Sequence, residues 1–139
     1  MKKLVLSIAT LLIFTSMILA QSGDAIIGKY HLPNQLDVEI FRSDGKYFGK
    51  IIGLEGFNEG QKIDSYNPDE SKQEEQLLGK IIIKDLEYDQ AKNQWVDGSM
   101  YGPEKGLIFN LKIAELGETE IKVVASKYLF WKTLSWKKL

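Results

Sequence analysis

The sequence of 139 residues contains no cysteine, and it has one histidine and three prolines. Without cysteine the chain cannot form a disulfide framework, a zinc–thiolate site, an iron–sulfur cluster or a cysteine nucleophile. A single histidine leaves a histidine-based metal site or a Ser-His-Asp triad poorly supplied. The sequence also lacks a phosphate-binding loop, a Gly-x-Ser-x-Gly elbow and a dinucleotide-binding fingerprint. We therefore predict no catalytic residue, no metal site and no cofactor, and hence a protein that is not an enzyme.

An excess of charge of one sign is also lacking, because 18 Lys and Arg residues face 19 Asp and Glu residues. A general nucleic-acid binder needs a basic face, so we expect no nucleic-acid partner. The acidic residues are numerous enough for a pair of catalytic carboxylates. However, Asp37, Glu39 and Glu120 alternate with apolar residues, which places them on the outward face of a strand.

The first 20 residues have the pattern of a secretory signal peptide. A basic start, Met1-Lys2-Lys3, precedes the uncharged residues 4–20, and the chain becomes polar at Gln21. We predict a helical signal peptide over residues 1–20 and one domain over 21–139, exported to the periplasm or the outside of the cell. After cleavage behind Ala20 the protein would not span a membrane. A retained anchor is the alternative, since the run is close to the lower length limit of a spanning helix.

The remaining residues alternate between apolar and polar with a period of two. Leu107, Phe109, Leu111 and Ile113, for example, alternate with more polar neighbours. This period is typical of strands with one buried face. The predicted strands are 25–31, 36–43, 46–54, 77–88, 94–101, 106–115, 119–126 and 130–137.

The residues between these strands favour short antiparallel connections. Asp44-Gly45 is a signal for a two-residue hairpin, and all three prolines fall between strands. Eight strands joined in this way predict an all-β, up-and-down antiparallel barrel of the lipocalin-like kind. An outer-membrane barrel shows the same period with its faces reversed, but several predicted strands are shorter than a bilayer crossing requires.

The long polar connection 55–76 interrupts this regular pattern. A connection of this length is functional, partly helical or mobile, and residues 69–76 favour a short helical turn. Asp64, Asn67, Asp69 and Glu70 supply several oxygen atoms within a short stretch, as a Ca²⁺ site would. The spacing is not that of an EF-hand, and we favour a structural turn at Asn67-Pro68-Asp69.

Several segments resemble the DUF2147 family of small exported bacterial proteins of unknown function. The similarity covers about residues 27–137, and no family residue has an established catalytic role. Tyr30 stands where the family usually has Trp. Residues 72–76 lack the arginine that is common in the family. If that arginine binds an anionic ligand in other members, this chain would not bind it. The segments that carry the resemblance are 27–30, 38–41, 44–51, 64–69 with its D-x-x-N-P-D pattern, 78–79, 95–106 and Trp136. The resemblance implies a lipocalin-like β-barrel.

The candidate functional residues follow from this barrel. We predict that Tyr30, Trp95, Tyr101 and Phe109 bind a ligand, in a lumen lined by residues such as Phe109, Leu111, Ile121 and Val123, with Trp136 in the core. Asp64, Asn67 and Asp69 form a second candidate site, in the long connection. The lone His31 could act as a base, but it is more simply a partly buried side chain held by hydrogen bonds.

Two functions remain open from the sequence. The first is a non-catalytic binding protein for a small apolar or amphipathic ligand. The alternative is a periplasmic interaction or inhibitor module that binds an envelope protein through the 55–76 loop. An internal cavity of about 300 Å³ or more distinguishes the carrier from the module. The sequence does not specify the oligomeric state.

Overall fold

Eight antiparallel strands form an up-and-down barrel in the computed structural model, which describes residues 22–139. Each strand pairs with the next, and the barrel closes where Tyr30 and His31 of β1 pair with Lys138 and Lys137 of β8. The strands are β1 (Gly28–His31), β2 (Asp37–Ser43), β3 (Lys46–Gly53), β4 (Ile81–Asp89), β5 (Gln94–Gly102), β6 (Leu107–Leu116), β7 (Glu120–Lys127) and β8 (Phe130–Lys138). Short 3₁₀ helices span Ser22–Ile26, Asn58–Gly60 and Glu70–Lys72. The predicted signal peptide over 1–20 lies outside the described residues.

The core lies inside the barrel, on the apolar face of the alternating pattern. Leu111 and Ile113 of β6 and Ile121 and Val123 of β7 are buried, whereas the residues between them are more exposed. The fold class predicted from the period of two is therefore confirmed. Across residues 22–139, no helix is both long enough and apolar enough to cross a bilayer.

Two predicted strands begin too early. The strand predicted at 77–88 begins at Ile81, because Leu77 to Lys80 form a turn in which Lys80 N donates to the Leu77 carbonyl and Gly79 has φ 87°. The strand predicted at 25–31 begins at Gly28, because the preceding residues belong to the first 3₁₀ helix. The other strand boundaries agree with the prediction to within one residue. The Asp44-Gly45 turn is confirmed, with φ 50° and 76°.

The alternating direction of the strands sorts the connections between two ends of the barrel. The upper end carries the connections 32–36, 54–80, 103–106 and 128–129. The lower end carries the first 3₁₀ helix and the turns 44–45, 90–93 and 117–119. The long loop therefore shares its end with the β5–β6 and β7–β8 turns.

The first 3₁₀ helix closes the lower end. Its carbonyl groups at Gly23 and Ile26 accept hydrogen bonds from Trp95 Nε1 at 2.9 Å and from the Tyr30 hydroxyl at 2.7 Å. The Tyr47 hydroxyl donates to Asp24 Oδ1 at 2.7 Å, which lowers the pKa of that carboxyl. Burial raises the pKa of Tyr30 to about 12, so this phenol stays protonated as a donor. Large side chains and a satisfied backbone thus fill this end of the barrel.

Matched substitutions on β6 test which face is buried. Ile113 is fully buried and Ile108 is exposed. We expect Ile113→Ala to lower the free energy of unfolding by about 3 kcal/mol, because it leaves a cavity. Ile108→Ala should change it by about 0.5 kcal/mol or less. Urea denaturation measures both, and equal losses would contradict the assignment of the inner face.

Candidate ligand-binding cavity

A cavity of about 500 Å³ opens at the upper end of the barrel. Its volume lies within the range of small-molecule sites. Its apolar wall comprises Met100, Phe109, Leu111, Ala125, Leu134 and Trp136. Leu111 and Trp136 are buried, and the packed core lies beneath them. The cavity is therefore an apolar cup with an opening toward the loops of the upper end.

A few polar groups stand in this apolar wall. Glu104 belongs to the β5–β6 turn, and its Oε2 atom is buried without a hydrogen-bond partner among the described residues. Lys105, Lys127 and Lys132 also contribute to the lining. A buried oxygen without a partner is costly unless a ligand or water donates a hydrogen bond to it. Glu104 Oε2 can therefore accept a hydrogen bond from a water molecule or from a ligand in the cavity.

The predicted ligand-binding residues lie in three different places. Phe109 lines the cavity, together with Leu111 of the predicted lumen. Tyr30 and Trp95 lie in the packed core, where their polar atoms bond to the first 3₁₀ helix. Tyr101 is half-buried beside the long loop. The structure therefore does not bring the four residues together around one space.

Trp136, which we expected in the core, is buried and also forms part of the cavity wall. Ile121 and Val123 of the predicted lumen lie in the filled core instead.

The long loop is held by a buried carboxylate. Asp64 is fully buried, and its Oδ1 accepts a hydrogen bond of 2.6 Å from the Tyr101 hydroxyl. Its Oδ2 accepts one of 2.7 Å from Asn67 Nδ2 and lies 3.0 Å from Lys80 Nζ. Lys80 Nζ also contacts Glu75 at 2.8 Å. Donors from the barrel, from the middle of the loop and from its C-terminal end therefore meet at one carboxylate.

The pKa values in this cluster follow from burial and pairing. Burial opposes ionisation of Asp64, but hydrogen bonds from Tyr101, Asn67 and Lys80 outweigh it, and the pKa is lowered. Burial, followed by the hydrogen bond and the charge of Asp64, raises the pKa of Tyr101. The carboxylate is therefore ionised and the phenol neutral near pH 7, as a structural charge-assisted contact requires.

The candidate loop site at Asp64, Asn67 and Asp69 is built as a turn. Asn67 Oδ1 accepts from Asp69 N, and Asp69 Oδ1 accepts from the amide and hydroxyl of Ser71 at 3.1 and 2.7 Å. The Asp69 side chain thereby caps the 3₁₀ helix Glu70–Lys72, where the sequence predicts a helical turn. Within residues 22–139, no three carboxylate or imidazole side chains converge as a metal site would need.

Contacts with the β5–β6 turn hold the loop against the barrel. Gln61 Nε2 donates to the Pro103 carbonyl at 3.2 Å. The carbonyl of Tyr66 occupies the space where a Cβ on Gly106 would lie, and Gly106 has φ 67°. A side chain at this position would push the loop away from the turn that carries Glu104.

The candidate residue His31 and a second, polar depression both lie apart from the cavity wall. His31 Nδ1 lies 2.6 Å from Oδ1 of Asp37, its cross-strand neighbour on β2. A polar depression of about 550 Å³ at the lower end is flanked by Asp24 and Arg42, which pair with each other at 3.3 Å. Its charged groups largely satisfy one another, which leaves the upper cavity as the better ligand site.

Sequence reasoning missed Lys80 and Glu104. The direction of the strands would have placed the 103–106 turn, and hence Glu104, at the same end as the long loop. The contact between Lys80 and Asp64 has no sequence signal. The apolar pattern of residues 77–88 predicts a strand that includes Lys80, whereas the structure has a turn there.

Comparisons with known proteins agree with this architecture. Residues 28–138 match the family model DUF2147, described as an uncharacterized protein conserved in bacteria. The solved structure of protein HP1028 from Helicobacter pylori, described as belonging to the lipocalin family, has a TM-score of 0.72. It is 21% identical, and the match covers 82% of each chain, so the likeness concerns the fold. None of the curated proteins matches significantly.

The Asp64 cluster predicts a specific loss of stability in acid. Because the folded pKa lies below the ordinary value of 3.8, the stabilisation is complete above about pH 4 and is lost as pH falls through the folded pKa. Asp64→Asn should lower the free energy of unfolding at pH 7 by about 2 kcal/mol, since the charge-assisted hydrogen bonds from Tyr101 and Lys80 are lost.

Asp69→Asn is the matched control, because this carboxylate caps an exposed turn and its loss costs about 1 kcal/mol or less. Urea denaturation at pH 7 and pH 3 measures both variants. The deficit of Asp64→Asn relative to the unsubstituted protein should shrink at pH 3. A deficit that does not change with pH would contradict the role of the charge.

Proposed function

This chain belongs to the DUF2147 family, and we propose that it is a non-catalytic carrier or sensor of a small amphipathic molecule. The apolar cavity of about 500 Å³ at the upper end supports this proposal most directly. Its volume lies within the range of roughly 300–1,000 Å³ that small-molecule sites occupy. Burial of an apolar ligand surface there would supply about 25 cal/mol per Å² of binding free energy before the entropic costs of association.

The distribution of polar groups favours an amphipathic ligand over a purely apolar one. The apolar part would contact Phe109, Leu111 and Trp136 in the cup, and a donor on the polar part would reach Glu104 Oε2. A hydroxyl or amino group on an aliphatic or aromatic body meets these requirements.

The proposed location is the cell envelope or the outside of the cell. The signal-peptide pattern over residues 1–20 supports export.

The interaction module acting through residues 55–76 is the less favoured function. Asp64, Asn67 and Asp69 have partners inside the protein, and these contacts account for the loop sequence without a bound protein. The exposed acidic residues of the loop remain available to a partner, but no cavity or unpaired buried group lies among those three. The carrier is therefore the function that we propose.

Filling the cavity tests the carrier directly. Ala125 lines the cavity, and Val124, the next residue on β7, is not part of its wall. Ala125→Phe should weaken binding of the fluorescent probe N-phenyl-1-naphthylamine by about tenfold, because it occupies ligand volume. Val124→Phe should leave the affinity within about twofold. Fluorescence titration measures both, and an unsubstituted protein that fails to bind the probe would contradict the proposal.

Removing the carboxylate of Glu104 tests the choice of an amphipathic ligand. Glu104→Gln should weaken displacement of the bound probe by dodecylamine about tenfold, the size of one lost charge-assisted hydrogen bond. The affinity for the probe itself should change little, since its rings contact the apolar wall. Equal losses for both compounds would indicate a damaged cavity rather than a recognition group.

A further inference from the structure

The turn between β7 and β8 exposes four consecutive large apolar side chains. Tyr128, Leu129, Phe130 and Trp131 have exposed fractions of 90%, 86%, 81% and 75%. Ile108, 60% exposed, lies close by on β6, where its carbonyl accepts a hydrogen bond from Lys127. An exposed apolar group of this size normally marks a binding surface. We call residues 128–131 the apolar tip.

The backbone conformation of the apolar tip does not explain why large apolar side chains occur in this turn. Tyr128 has φ 56°, a conformation in which Gly, Asn or Asp would be less strained. Two-residue hairpin turns strongly prefer those small residues, and the chain uses Asp44-Gly45 for this purpose at its lower end. Tyr128 therefore brings strain as well as exposure, and the Lys127 ammonium lies 5.3 Å from its ring centroid, on the solvent side of the turn.

Lysines surround the apolar tip. Lys127 and Lys132 flank it on the two strands, and Lys105 lies near it at the cavity opening. The acidic residue nearest to the tip in the segment 120–139 is Glu120, which lies at the lower end of β7. The long loop on the other side of the upper end is acidic instead. The charge around the tip is therefore complementary to an anionic surface.

We propose that the apolar tip inserts into the surface of an anionic lipid bilayer, with Lys127 and Lys132 facing the lipid phosphates. Aromatic rings next to lysines are the side chains favoured at the boundary between lipid headgroups and acyl chains. The tip is a protruding hairpin rather than a groove, so a fluid surface can surround it without a shaped partner.

This surface joins the cavity opening. Phe130 and Trp131 belong both to the apolar tip and to the lining of the cavity. A docked protein would hold the opening at the depth of the lipid headgroups, where amphipathic molecules reside. Docking goes beyond the carrier function and is measured without a cavity ligand, so failure of one does not imply failure of the other.

The three tryptophans make docking measurable by fluorescence. Trp95 and Trp136 are buried, whereas Trp131 is 75% exposed. The protein purified from bacterial cells, with its natural N-terminus, is mixed with vesicles of phosphatidylethanolamine and phosphatidylglycerol. We expect a blue shift of the emission, protection from acrylamide and quenching by brominated acyl chains. Trp131→Phe should abolish these changes, because the remaining tryptophans do not reach the lipid.

A charge-matched pair of variants tests the lysines. Lys127→Glu with Lys132→Glu should weaken vesicle binding at least about 25-fold, since each lysine near an anionic surface contributes about fivefold. Lys137→Glu with Lys138→Glu makes the same change in net charge at the lower end of β8, and should change binding less than about fivefold. Equal effects would overturn the proposal, because net charge rather than the tip would then decide binding.

A further variant separates docking from folding. Tyr128→Gly should leave the unfolding temperature unchanged or higher, since it relieves the positive φ, while it weakens vesicle binding. Trp131 that stays accessible to acrylamide in the presence of vesicles would overturn the proposal. A dimer that Leu129→Asp dissociates, without a response to lipid, would also overturn it and identify a second copy as the occupant.

Discussion

The burial of inward-facing side chains inside one closed cylinder is the constraint on which the rest of the structure depends. The short pairing of β1 with the end of β8 closes the sheet and directs one face of the strands to a shared interior. The two ends of that interior differ. Trp95, Tyr30 and the first 3₁₀ helix fill the lower end, while smaller residues such as Ala125 leave space at the upper end. The cavity is a consequence of this unequal filling.

The two sides of the upper end also differ in the charge and polarity of their side chains. On one side, the acidic loop is held down by Asp64, whose partners Tyr101 and Lys80 come from outside residues 55–76. On the other side, the β7–β8 turn exposes apolar residues between lysines. The cavity opens between the two, with Glu104 at the boundary. A cavity whose rim has one polar side and one apolar side matches a molecule that has both a polar and an apolar part.

The sequence predicted the fold well because alternation and turn residues are local signals. Strand boundaries shifted where a local signal was ambiguous: Leu77 is apolar like a strand residue, but Gly79 turns the chain before β4 begins. The site was harder to predict because it depends on contacts between distant residues. Phe109 and Trp95 were both predicted to bind a ligand, but Phe109 lines the cavity, whereas Trp95 faces the filled lower end. Side-chain packing decides which aromatic residue lines the cavity. The two-residue period of the sequence does not reveal that packing.

We propose that a ligand enters the apolar cup at the upper end. Methyl-group NMR during titration with N-phenyl-1-naphthylamine tests this entry most directly. We predict that the methyl signals of Leu111, Ala125 and Leu134 shift together and saturate, while that of Ile121 in the core stays in place. Shifts confined to the loop 55–76, or no saturable shift in the cup, would contradict the account.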